Sequence, residues 1–423
     1  NHAIYHNIYD NWQPRAGIAY RLRPSLVVHG SYGRFFENWA AITQTAQNFE
    51  GAWPQIGQLL AQNLNKPNAV PNVSALDPFS QGAGNAIPAP SPFLNTGFVQ
   101  WYMNPLQKNP YSDQWTFGFE QQLHTNTVLT ANYVGARSER LDLGGYYNVA
   151  LTPGPGDAAT VTSRQPYPYI PPTFYDRDTG HSSYNAFQFS LDKKSASGLS
   201  YLIAYTWSKN MSIGCDGWYG VEGCSIQDPY HPERDRSVAG FDLTHILSFS
   251  WSYPMPLGKG RRWSTNNRAL DYAFGNWAFN GIFFTSSGPP YSIYTSGDIA
   301  NTGCGCDRAN RVAGVAAEVS NRGPDQWLNP GAFVNPAAFT FGNLGRNALR
   351  ADWPRNFDLS LFREFPVSES KRFQFRTEFF NALNTPVFGA PDSTVGDQHF
   401  GQIFSTLSSN RARIIQFALK FYF

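Results

Sequence analysis

The stretch "RIIQFALKFYF", Arg413 to Phe423, closes the chain and decides how the rest is read. Every second residue back from the end is large and apolar: Phe423, Phe421, Leu419, Phe417 and Ile415. The interleaved residues, Tyr422, Lys420, Ala418, Gln416 and Ile414, are mixed. A period of two marks a β-strand, because successive side chains in a strand point to opposite faces. A soluble sandwich could also hide such a strand, so the decision rests on what precedes it.

The composition favours one large β-architecture over several ordinary domains in the 423 residues. Aromatic residues make up 16% and charged residues only 15%, with 37 Gly and 30 Pro, which describes many strands separated by turns and irregular loops. A formal net charge of +2 and scattered basic residues leave no electrostatic footprint for nucleic acid. No run of 18 apolar residues could form a transmembrane helix. The chain opens on Asn1 rather than Met, which suggests processing or the C-terminal piece of a longer protein.

Strand-like alternation recurs at Pro14–Leu22, Leu26–Phe36, Gln114–Leu123, Thr127–Arg137, Tyr184–Lys193, Leu199–Lys209, Phe241–Tyr253, Gly275–Thr285, Asn356–Glu364, Lys371–Asn381 and Arg411–Phe423, eleven segments in all. Most are about the 9 to 11 residues that a tilted strand needs to cross a bilayer. One set is aromatic, as in Trp115, Phe117 and Phe119, or Tyr201, Ile203, Tyr205 and Trp207, or Leu247, Phe249 and Trp251, or Phe373, Phe375 and Phe379. The alternate set is polar, as in Arg372, Gln374, Arg376 and Glu378, or Asn356, Asp358 and Ser360.

The connections alternate between short and long. Short ones centre on Arg23-Pro24, His124–Asn126, Ser195–Gly198 and Pro366–Ser370, with a somewhat longer one at Pro254–Phe274. Long ones cover about 37–113, 138–183, 210–240, 286–355 and 382–410. Transmembrane β-barrels have short periplasmic turns, long extracellular loops, an apolar outside and a polar inside. A propeller would instead repeat at a fixed period with similar loops on each blade. The expected fold is therefore an all-β, antiparallel transmembrane barrel whose last strand descends to the periplasmic rim, with Phe417, Leu419, Phe421 and Phe423 as the signal read by the barrel assembly machinery.

Four segments carry a resemblance: "NPYSDQWTFGFEQQLHTNTVLTANYVGARSERL" from Asn109, "SSYNAFQFSLDKKSASGLSYLIAYTWSKN" from Ser182, "GFDLTHILSFSWSYPMPLGKGRR" from Gly240 and "NFDLSLFREFPVSESKRFQFRTEFFNALNTPVFGAP" from Asn356. They resemble the barrel half of TonB-dependent receptors, and most closely the Oar-like, acidobacterial-type group. The resemblance implies residues 1–423 as the C-terminal part of a barrel of 22 strands around a plug, in the outer membrane of a Gram-negative type bacterium. It also implies a TonB complex as partner, reached through a plug and TonB box not visible upstream of Asn1, with outer-membrane lipid around the barrel. Eleven strands is an odd number, whereas a barrel with both ends in the periplasm needs an even one.

The implied function is uptake of a scarce solute of the siderophore, oligosaccharide or peptide class. The alternatives are an Oar-like surface adhesion or export-linked barrel, or a passive porin.

No motif makes a positive case for an enzyme or a cofactor. In "QDPYHPERDRSVAGFDLTH", Asp228, His231, Glu233, Asp235, Asp242 and His245 lack the fixed spacing of a metal or acid–base set. Arg234 and Arg236 are instead expected to pair with Asp235 or Asp242 and to order the extracellular rim. Cys215, Cys224, Cys304 and Cys306 are expected to form at least one disulfide, since their spacings do not match zinc ribbons and the outer surface is oxidising. Cys215–Cys224 would close a compact loop, Cys304–Cys306 a small strained ring, and bridges between the two loops fit the spacing as well. His29 and His245 are expected to face the lumen. The aromatic, amide-rich stretches Trp39–Trp53, Trp101–Asn109 and Gly217–Tyr219 are candidates for ligand contact.

Overall fold

The computed structural model describes residues 8–37, 101–103, 108–143, 146–168, 173–195, 198–213, 226–258, 261–264, 267–368, 370–407 and 411–423. Eleven long strands follow one another across a single antiparallel sheet. They are β1 (Arg15–Arg23), β2 (Leu26–Phe36), β3 (Tyr111–His124), β4 (Thr127–Leu143), β5 (Thr173–Lys193), β6 (Ser200–Ser212), β7 (His245–Pro254), β8 (Trp277–Ser286), β9 (Arg355–Pro366), β10 (Arg372–Phe380) and β11 (Ile414–Tyr422). Each pairs with its neighbours in sequence, as expected of a barrel wall, and the sheet is open between β1 and β11. Three short strands, Trp101–Met103, Tyr146–Tyr147 and Ser237–Val238, attach to β5 and β6 at the long-loop end and bring the sheet to 14 strands.

Directly opposed residues of an antiparallel pair lie on one face, so the registers define the faces. Leu129, Leu191, Ile203, Phe249, Phe283 and Phe357 oppose one another in turn from β4 to β9. A second row runs through Tyr201, Trp251, Gly281, Leu359, Phe379 and Ile415, reaching β11. On the other face Ser200, Ser252, Asn280, Ser360, Glu378 and Gln416 form the corresponding row. One face is thus apolar and aromatic over the whole sheet, and the other is mainly polar, with Leu202, Ile282 and Phe362 set among its serines and charged residues. Apolar residues on the first face stay open to the surroundings: Trp207 is 59% exposed, Phe117 67% and Leu419 69%. In water such a surface would be a severe liability; in hydrocarbon it is the favourable arrangement.

Two glycines shape that face. A Cβ on Gly135 would lie 2.2 Å from the Trp115 ring, and one on Gly281 would lie 2.2 Å from the Trp251 ring. Each glycine sits directly opposite its tryptophan, so the indole lies flat on the neighbouring strand.

The elements differ from expectation where strands leave the bilayer. β4 continues past Arg137 to Leu143, and β5 begins at Thr173, ahead of Tyr184. These extensions pair with each other across two register shifts, at Glu139/Leu141 and Leu141/Leu143. β7 starts at His245 rather than Phe241, because Asp242 and its neighbours form a turn before the strand.

The packed interior is at the long-loop end. Tyr291, Ile293, Trp327, Leu328, Phe333, Val395, Phe400 and Ile403, all from the β8–β9 and β10–β11 connections, share one hydrophobic cluster. Tyr294–Thr295 pairs with Thr394–Val395 and ties the two connections together, while Pro290–Tyr291 with Leu349–Arg350 and Asn310–Arg311 with Phe333–Val334 fold the β8–β9 connection on itself. Leu143, Ile213 and Ile226 make a second, smaller cluster between the ends of β4 and β6 and the β6–β7 connection.

Candidate functional site

Two surfaces can meet a solute: the polar face of the sheet and the cap formed by the long connections. On the polar face a recess of about 450 Å³ crosses β5 to β10, with Asp192, Ser250, Asn280, Asp358 and Glu378 among its lining. Small serines on β6, β7 and β9 (Ser200, Ser250, Ser252 and Ser360) leave this space, which Leu202, Ile282 and Phe380 line as well. Beside it, Gln374 donates to Glu364 (3.2 Å) and accepts from Arg376 and from the Tyr422 hydroxyl (3.3 Å). Arg372 lies 3.3 Å from Glu364 and over the Tyr422 ring. Hence the polar face carries paired charges, as a water-facing wall requires.

The cap is built on buried ion pairs between connections. Pro232 opens a short 3-10 turn, Pro232–Asp235, that turns the Asp235 carboxylate inward, where it is 2% exposed. It accepts the Gln227 backbone N–H (2.9 Å) and pairs with Arg308, itself 3% exposed, from the β8–β9 connection. Arg308 also donates to the Leu344 carbonyl (2.9 Å) and Gln227 to the Gly342 carbonyl (3.1 Å). Arg346 donates to the Ser212 hydroxyl (2.9 Å) at the end of β6. Asp242 accepts the Asn210 N–H (2.6 Å) and pairs with Arg350, which also donates to the Gly288 carbonyl (3.0 Å). On the far side Arg164 donates to the Thr152, Gly154 and Asn301 carbonyls, and the Tyr230 hydroxyl donates to the Val149 carbonyl (2.7 Å). Three connections are therefore locked to one another, and the β10–β11 connection joins them through the shared hydrophobic cluster.

Two carboxyls in the cap are tuned in opposite directions. Burial pushes Asp307 above its ordinary value, against the opposing effect of the Ala300 N–H that it accepts at 2.7 Å. Asp157 is held below its ordinary value by the Thr160 backbone N–H and hydroxyl as it caps the six-residue helix Ala158–Ser163.

The residues proposed from sequence fall out differently. Arg234 pairs with Asp228 (2.9 Å), which also meets His231 (2.9 Å), rather than with Asp235 or Asp242. Asp235 and Asp242 take Arg308 and Arg350, partners from another connection that close the cap, while the adjacent Arg234 is engaged with Asp228. Arg236 forms the C-terminal boundary of the 3-10 turn. Nothing near Asp235 in sequence points to Arg308, 73 residues away.

His29 lies on the polar face, 3.0 Å from Asn132. His245 does not: it opposes Trp207 on the aromatic face, shares its row with Leu247, and meets the Tyr205 hydroxyl at 2.8 Å. Cys304 and Cys306 are bonded to each other. Cys215, Cys224, Trp39–Trp53, Gly217–Tyr219 and residues 104–107 lie outside the described residues. Among the described residues no group of three or more His, Cys, Asp or Glu side chains is disposed to hold a metal ion. Phe417, Leu419, Phe421 and Phe423 line up on the aromatic face of β11, with Phe421 4.7 Å from Phe373 and 5.9 Å from Phe423 between ring centres.

No curated protein matches the chain. Among solved structures it is similar to the outer membrane transporter YddB from Escherichia coli, at 9% identity over 94% of this chain and 38% of that one, with a TM-score of 0.45. It is also similar to the ferripyoverdine receptor of the outer membrane of Pseudomonas aeruginosa (11% identity, 97% of this chain and 32% of that one, TM-score 0.44). A third is the siderophore receptor PiuA from Acinetobacter baumannii (10%, 96% and 35%, TM-score 0.41). The chain spans about a third of the length of these structures. The model of the outer membrane beta barrel domain matches residues 1–416, nearly every residue of the two-faced sheet and its cap. The chain belongs to the outer membrane beta barrel domain family, a family of membrane barrels rather than enzymes, and its place is the bacterial outer membrane.

Proposed function

We propose that the chain is the C-terminal barrel portion of a TonB-dependent receptor that takes up a scarce solute of the siderophore, oligosaccharide or peptide class. The observation that carries this is the direction of the sheet edges. β1 runs into the short turn at Pro24, and β11 arrives from the 381–413 connection, so both point to the short-turn end. Closing them into an all-antiparallel barrel takes an odd number of further strands, and eleven would give the 22 of a plugged outer-membrane transporter. The neighbours named above include a siderophore receptor and a ferripyoverdine receptor, and the solute class is taken from that likeness together with the resemblance of the sequence.

In this reading the cap gathers solute above the polar wall, and a plug supplied by another part of the protein meets the TonB complex. The Oar-like affiliation belongs to the same proposal. The test is growth of a gene-deletion strain on single scarce solutes, with the full-length gene restored and with a protonophore added. Loss of growth on one solute, restored by the gene and abolished by the protonophore, is expected. Uptake that survives the protonophore would favour a passive porin, and normal growth with altered surface attachment would favour adhesion.

A further inference from the structure

The aromatic face changes character at the upper ends of β2, β3 and β4. Arg34 lies in the row of Tyr32, Asp113 in that of Trp115, and Arg137 in that of Gly135, so all three leave the sheet on the lipid side. Asp113 receives two hydrogen bonds from Arg34, both 2.8 Å, and one from the Tyr32 hydroxyl (2.7 Å). Arg137 pairs with Glu139 (2.6 Å) and is 68% exposed. Tyr111 stands between two guanidinium groups, with Arg34 4.4 Å and Arg140 5.2 Å from its ring centre.

Arg140 reaches this place through an irregularity. Its φ is 58°, in the left-handed region, at the register shift between Glu139 and Leu141. A bulge with that backbone is unfavourable for an arginine and re-aims the side chain. Below the shift Arg137 and Glu139 point to lipid; above it Leu143 points into the cap, fully buried against Ile213 and Ile226. Arg140, the extra residue, stays beside Tyr111. Two carboxylates stand against three arginines, and among the described residues no carboxylate pairs with Arg140.

The height of the cluster identifies its surroundings. Asp113 and Arg137 each lie about ten residues from the short turn joining β3 and β4, one bilayer crossing away. They are therefore level with the head groups of the leaflet on the long-loop side. Arginine forks match phosphate oxygens in pairs, and the Tyr111 ring, with Arg140 5.2 Å from its centre, holds one of those forks in place. We propose that Arg137, Arg140 and Tyr111 form an outward-facing site for the phosphorylated sugar head group of an outer-leaflet glycolipid. Arg34 is held by Asp113 as the inner support of that site. The proposal does not depend on what the lumen carries.

The full-length protein, incorporated into phosphatidylcholine nanodiscs containing either bis-phosphorylated lipid A or its dephosphorylated form, tests it by native mass spectrometry. Retention of the phosphorylated lipid about tenfold above the dephosphorylated one is expected, as charge-assisted contacts to two arginines imply. An R137N/R140N variant, in which asparagine accepts the left-handed backbone, should lose that preference while keeping its heat-modifiable gel mobility. If the variant does not fold, the comparison of the two lipids on the unaltered protein still decides. Equal retention of both lipids would overturn the proposal. So would undiminished preference in the variant, or displacement of lipid A by millimolar inorganic phosphate, which would mark a site for a soluble anion.

Discussion

A single carboxylate shows how the cap is held. Asp235 and Arg308 are both almost completely buried, and removal of one leaves the other without its counter-charge. Arg308→Ala should therefore destabilise the cap by about 3 to 5 kcal/mol. Limited proteolysis of intact protein in vesicles should then cleave the β6–β7 and β8–β9 connections while the strands stay protected. Asp307 gives a dependence on pH. Its folded value is raised by burial, so its contribution is fullest below the ordinary carboxylate value and is lost as the pH rises through the raised one. Asp307→Asn should remove that decline from the pH profile of cap protection. Asp157, whose value is lowered, acts oppositely: its stabilisation holds above the ordinary value and fades as the pH falls through the lowered one. None of these pairings was legible in the sequence, because the partners of Asp235 and Asp242 are 73 and 108 residues away and no local pattern links them.

At the level of the strand, position on one face or the other sets the cost of a charge. Phe249 lies in the middle of β7, opposite Ile203 and Phe283 on the aromatic face, and Ser250 beside it lines the polar recess. Phe249→Arg should cost about 2 to 4 kcal/mol in lipid, whereas Ser250→Arg should cost far less, as refolding titrations in vesicles would measure. We also propose that the aromatic row of β11 is the assembly signal; deletion of Phe423 should then lower the amount of protein reaching the outer membrane, read by fractionation and blotting. The strands themselves were legible, since alternation in segments such as Lys371–Asn381 is local and survives any tertiary arrangement. The lower part of β5 was found for that reason. Its upper part, Thr173–Ser183, was missed because it rises above the bilayer, where no alternation of apolar residues is required. His245 was misplaced for a related reason: a polar ring at the head-group level can face outward when a Tyr205 hydroxyl meets it.

Over the whole molecule the hydrophobic organisation is inverted relative to a soluble protein. The most fully buried large side chains, among them Leu143, Ile293 and Leu328, lie at the long-loop end, while the broad sheet turns its aromatics outward. The composition and the alternation of short with long connections made this legible, but the co-folding of those connections into one cap was not, because their cluster joins segments that are each irregular alone. The central claim is that one face of every strand meets lipid and the other meets water. Single cysteines at 247 through 252 of β7, in otherwise cysteine-free full-length protein in lipid vesicles, test it most directly when labelled with a fluorophore and exposed to a nitroxide quencher carried on the lipid chains. Strong quenching at Leu247→Cys, Phe249→Cys and Trp251→Cys, with weak quenching at Ser248→Cys, Ser250→Cys and Ser252→Cys, is the predicted result. Uniform quenching along the strand, or alternation with the opposite phase, would contradict the account.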